Sequence, residues 1–115
     1  QSAWANGEAY FVINRQTAWR RLWEQHAPGT TPPVVDFSTH DVYAAFFGTK
    51  PTSGYEIETV GLTDTGSTVH GDVHGKEPGP TCIVNPVNTS PFHFVKAPKT
   101  GLLALIFVVI EIVNC

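Results

Sequence analysis

The sequence predicts a mainly β (α+β) fold: an antiparallel β-sandwich or open barrel with one amphipathic N-terminal helix. Three observations lead there. Short apolar runs, alternating or continuous, recur between turns from Val34 onward. Ten Gly and nine Pro in 115 residues cut those runs to strand length. Only the stretch from Trp19 to His26 places its apolar residues at helical spacing. The length suits a single domain, 1–115, and no internal repeat or domain boundary divides it.

The elements follow in order. After the apolar stretch Ala9–Ile13, Asn14 stands where a helix N-cap is expected. Trp19, Leu22, Trp23 and His26 then recur at i, i+3, i+4 and i+7, with Arg20, Arg21 and Glu24 on the other face. This predicts a helix of about three turns, stopped by Pro28-Gly29. Gly29–Pro33 reads as a stiff, extended linker. Val42–Phe47 is a core-type strand ending at Gly48. Tyr55, Ile57 and Thr59 alternate with solvent-facing Glu56 and Glu58, and the phase then slips to Val60 and Leu62, which predicts a bulge near Gly61. Asp64-Thr65-Gly66-Ser67 reads as a hairpin turn, after which Val69, Gly71 and Val73 alternate with His70, Asp72 and His74. Cys82–Val84 and Phe92–Val95 are further short strands. The last run, Leu102–Val113, contains Glu111 and falls short of the roughly 20 apolar residues of a spanning helix. Its β-branched content predicts a central strand buried on both faces.

Composition removes several classes of function. Hydrophobic residues make up 42% and charged residues 15%, with three Trp, three Tyr and seven Phe, which excludes a disordered chain. Seven Lys and Arg against ten Asp and Glu give a formal charge of −3, without the basic stripe that nucleic acid requires. Met is absent even from position 1, so the chain reads as a processed or trimmed product, with Gln1-Ser2 following a removed signal peptide. Cys82 and Cys115 form no CxxC pair, which leaves structural zinc and thioredoxin-like chemistry without ligands. They are either a disulfide or two buried thiols. The even count, the missing Met and the terminal position favour a bridge, given an oxidising compartment.

Candidate chemistry is sparse. Asp64–Ser67 matches the D-T-G-S of aspartic proteases, in which two carboxylates share a proton. Here the motif comes late, and no apolar-apolar-Gly segment follows it, so a turn is expected. His70, Asp72 and His74 share one strand face. Side chains two apart lie about 7 Å from each other, so one adjacent pair suits a metal, but the outer two are roughly 13 Å apart. A site would need a further ligand such as His93 or His40, and a solvated polar face is the expectation. Ser90 and His93 lack the G-x-S-x-G elbow of a hydrolase nucleophile, and no Gly-rich phosphate loop is present. The Asn88-Thr89-Ser90 sequon matters only in a eukaryotic secretory route. Neither a catalytic residue nor a cofactor is expected.

Three proline-shaped loops stand apart: Lys50-Pro51-Thr52-Ser53-Gly54-Tyr55, the segment around Pro78-Gly79-Pro80, and Thr89-Ser90-Pro91. Stiff exposed loops on a β scaffold hold a binding epitope at low entropic cost. These loops also carry a family resemblance. Val35-Asp36-Phe37-Ser38, the strand into Phe47-Gly48, Lys50 to Ile57, Pro78-Gly79-Pro80-Thr81-Cys82 and Thr89 to Val95 together resemble the C-terminal domain of the PrcB family. The likeness runs from about Val34 to Lys99, and the Trp19-Leu22-Trp23 helix fits the family's lead-in. The sequence departs from the family pattern in a longer, more apolar C-terminal run and in carrying no lipobox cysteine. PrcB proteins are bacterial envelope proteins described as subunits of a protease complex. The resemblance therefore implies a secreted, periplasmic or envelope-associated, non-catalytic domain that associates with a protease or its precursor. Lys50–Tyr55 is also similar to the N-P-T-T-G-Y loop of chagasin-type cysteine protease inhibitors, with Lys50 in place of Asn. That likeness implies the alternative of an inhibitor using rigid loops. A self-assembling envelope protein is a third expectation, with Leu102–Val113 as its edge.

Overall fold

A computed structural model describes residues 7–115. Strand β1 (Ala9–Ile13) leads into helix α1 (Gln16–His26), followed by β2 (His40–Phe46), β3 (Glu56–Asp64), β4 (Thr68–Pro78), β5 (Phe92–Pro98) and β6 (Leu103–Val113). The strands form two three-stranded sheets, ordered β1-β2-β5 and β3-β4-β6. This is the sandwich of the two expected architectures, and not a closed barrel.

Alternation along β2 builds two cores. Val42, Ala44 and Phe46 face the helix and join Ile13, Trp19 and Leu22 in one cluster. Ala45 and Phe47 face the second sheet and meet Ile57 and Val73, with Tyr10, Tyr55, Ile106 and Val108 closing around them. The helix thus covers the outside of the first sheet, while the outside of the second meets solvent. Trp19 is fixed at both ends, packed edge-on against Phe94 and donating its indole N–H to the Pro33 carbonyl at 3.0 Å.

Several expected features are present. The register of β3 against β4 breaks between Thr59 and Gly61, where the phase slip predicts a bulge. Asp64–Ser67 is a turn, in which the Gly66 amide donates to Asp64 Oδ1 at 2.8 Å and the Thr65 amide to the Thr68 carbonyl at 2.9 Å. Cys82 and Cys115 form a disulfide.

Four expectations are corrected. Arg15, not Asn14, occupies the N-cap; its backbone is extended and its side chain makes no capping bond. Cys82–Val84 is not a strand, because the chain there is held by the disulfide and loop contacts rather than by a ladder. One pairing is parallel: β6 runs alongside β4 from Leu103 opposite Thr68 to Val113 opposite Pro78. A parallel pair needs a crossover, and β5, laid in the opposite sheet, supplies it. Finally, β6 is an edge strand rather than a central one. β4 takes the centre because β3 already holds its other side, and no layer among the described residues covers β6 from outside.

Candidate functional site

The three proline-shaped loops meet at one end of the sandwich. β2 and β4 finish there and β3 and β5 begin there, since Phe46 pairs with Phe92 and Glu56 with Lys76. Lys50 and Thr89 exchange both backbone hydrogen bonds, at 2.8 and 2.9 Å. Thr89 Oγ1 donates to the Thr52 carbonyl at 2.9 Å. The Ser53 amide donates to the Asn85 carbonyl at 3.0 Å, and the Asn85 amide returns a bond to Ser53 Oγ at 2.9 Å. Gly54 sits at φ 94°, and a Cβ there would lie 3.1 Å from Pro78 Cβ, so only glycine lets this loop close on Pro78.

The C-terminus braces the third loop. The Gly79 amide donates to the Val113 carbonyl at 2.8 Å, and Thr81 Oγ1 donates to the Cys115 carbonyl at 3.0 Å beside the disulfide. A 13-residue connection, 79–91, that would otherwise be mobile is thereby tied at Gly79, Cys82, Asn85 and Thr89.

The residues differ in what they offer a partner. Pro51, Gly54 and Pro80 are exposed, whereas Thr52, Ser53, Pro78, Thr89, Ser90 and Pro91 are partly covered and Gly79 is buried. Lys50 folds back, its Nζ 4.1 Å from the centre of the Phe47 ring and 5.6 Å from that of Tyr55. Tyr55 packs edge-on against Phe47 and belongs to the margin of the second core. Beside the cluster lies a cleft of about 410 Å³, lined by Tyr55, Glu56, Ile57, Thr89, Ser90, Pro91 and Phe92. Sequence reasoning missed Ile83, which is fully exposed on the braced loop, with Val87 also exposed nearby. The apolar triplet Cys82-Ile83-Val84 reads as a strand by pattern, whereas in the loop Cys82 is tied to Cys115 and Ile83 faces solvent.

The other candidates do not converge on a site. His70 Nε2 lies 3.0 Å from Asp72 Oδ1, and its ring stacks on Phe107. His74 turns instead to Glu111, 3.6 Å away. Among the described residues no group of three or more His, Cys, Asp or Glu side chains is arranged to hold a metal ion. His93 accepts a hydrogen bond from the Thr59 amide at 3.1 Å and so stitches β5 to β3, rather than activating Ser90. No helix among the described residues is long and apolar enough to cross a membrane.

This geometry sits within a family match. Residues 42–98 match the family described as PrcB C-terminal. That stretch, just under half of the chain, is similar to the PrcB C-terminal family. The PrcB match begins in β2, ends with the last residue of β5, and contains all three loops. It supports a role associated with a protease complex. No curated protein and no solved structure matches the chain.

Proposed function

We propose that this chain is a non-catalytic PrcB-type binding domain, exported to the envelope or beyond, whose loop end docks on a protease or protease precursor and stabilises it. The observation that carries the reading is the cross-bracing of three loops, distant in sequence, into one rigid surface. Bonds made before binding reduce the ordering cost of an interface. Ile83 supplies an apolar anchor beside exposed Pro80 and the 410 Å³ cleft. The disulfide accords with an oxidising compartment.

Cross-linking in a native envelope extract, followed by identification of the joined protease, provides the partner for the test. That protease should resist heat or proteolysis better with the domain than without it, at unchanged turnover. Loss of turnover at stoichiometric amounts would instead establish the inhibitor alternative and overturn the stabilising role.

A further inference from the structure

We propose that a second copy of this chain pairs with the open edge of β6, antiparallel and about a two-fold axis. The β3-β4-β6 sheets of the two copies would then join into one six-stranded sheet. Among the described residues β6 is hydrogen-bonded on one side only, to β4, so every second residue directs its N–H and C=O away from that ladder.

The two edges of this sheet are treated differently. β3, at the far edge, carries Glu56, Glu58, Asp64 and the bulge at Gly61, all of which discourage strand addition. β6 has no bulge and no proline, and its register against β4 is unbroken over all eleven residues. Its one charge, Glu111, is turned toward His74. The edge is thus long, regular and unguarded.

Its side chains specify the occupant. Leu103, Leu105, Phe107 and Val109 on the outer face, and Ile110 and Ile112 on the inner, are each 41–70% exposed. At on the order of 170 Å² per residue, two copies would bring together about 1,100 Å² of exposed apolar surface, near the lower limit for a specific interface. A strand beside β6 must itself be apolar on both faces, and among the described strands with an open edge β6 fits that need over its full length. The two-fold also resolves the charge. Centred on Val108, it sets Glu111 opposite Leu105 of the other copy and holds the two carboxylates roughly 20 Å apart, whereas parallel in-register pairing would place them side by side.

Sedimentation of the oxidised 115-residue chain over a range of concentrations tests this. A monomer–dimer equilibrium is expected, with the outward-facing β6 amides losing hydrogen-exchange protection on dilution while those of β4 keep theirs. L105K/V109K places lysines on the exposed outer face, where folding tolerates them. It should raise the dimer dissociation constant at least tenfold with the circular dichroism unchanged. If that variant fails to fold, the exchange pattern of the wild-type chain decides alone. A chain that stays monomeric up to about 1 mM, open polymers in place of a closed dimer, or a dimer with β6 amides unprotected would each overturn the proposal.

Discussion

Gly75 sets how closely the two sheets approach. A Cβ there would stand 3.0 Å from Phe47 Cζ and 3.3 Å from Ile110 Cγ1, and Phe47 is only 1% exposed, so its ring has nowhere to move. Gly71 also faces inward, but its nearest neighbour, at 2.8 Å, is the mobile end of Ile106. Gly75→Ala should therefore cost about 1–3 kcal/mol of stability and Gly71→Ala clearly less. Urea denaturation of both variants measures this, and equal losses would contradict it. His26 is the second informative residue. It is packed against Trp23, Phe46, Phe92 and Phe94, and its Nδ1 is buried with no hydrogen-bond partner among the described residues. Burial holds its pKa below the ordinary 6.5. The unfolded chain thus takes up a proton that the folded chain resists. The stability linked to neutral His26 is complete above about pH 6.5 and declines as the pH falls below it. His26→Phe should flatten the fall in urea midpoint between about pH 7 and pH 5; an unchanged slope would assign it to other groups. At this scale the sequence reveals Trp19 and Leu22 through their period. It hides the Asp41–Lys99 ion pair, 2.6 Å long and 58 residues apart in sequence, because no local pattern encodes a contact between strand ends.

Among the elements, local pattern and tertiary competition divide the outcome. The 3.6-residue period fixes α1, a continuous apolar run fixes β2, and the two-residue period fixes β3 and β4 together with their inward faces. The slip near Gly61 is legible because a bulge reverses which side chains point inward. β6 is legible as a strand but not in its position: an apolar run states a need for cover, and the number of layers decides whether cover exists. The parallel β4–β6 pairing is equally non-local, since it follows from β5 crossing to the other sheet. The disulfide joins the end of β6 to the connection between β4 and β5, across 33 residues. Replacing Cys82 and Cys115 by Ala should lower stability by about 2–4 kcal/mol. Calorimetry with and without reductant offers an independent check. A melting temperature indifferent to reductant would mean that the Gly79 amide and the Thr81 hydroxyl hold Val113 and Cys115 in place without the bridge.

For the whole molecule, the sandwich gathers at one end the loops that the sequence marks only by proline and glycine. Their stiffness was legible in Pro51, Pro78, Pro80 and Pro91, but their mutual bonds were not, because Lys50 meets Thr89 only once β2 pairs with β5. Tyr55 proved to belong more to the core than to the surface, and Ile83 more to the surface than to any strand. The loop end and the β6 edge are separate surfaces, so L105K/V109K should weaken dimers without releasing a protease. Most direct for the central claim is the dissociation constant between this domain and the protease cross-linked to it, compared for the native chain and for P51E/I83D. Both substitutions fall on exposed side chains. A loop-end interface predicts weakening of tenfold or more, about 1.4 kcal/mol, with the melting temperature unchanged. An unaltered dissociation constant would contradict it.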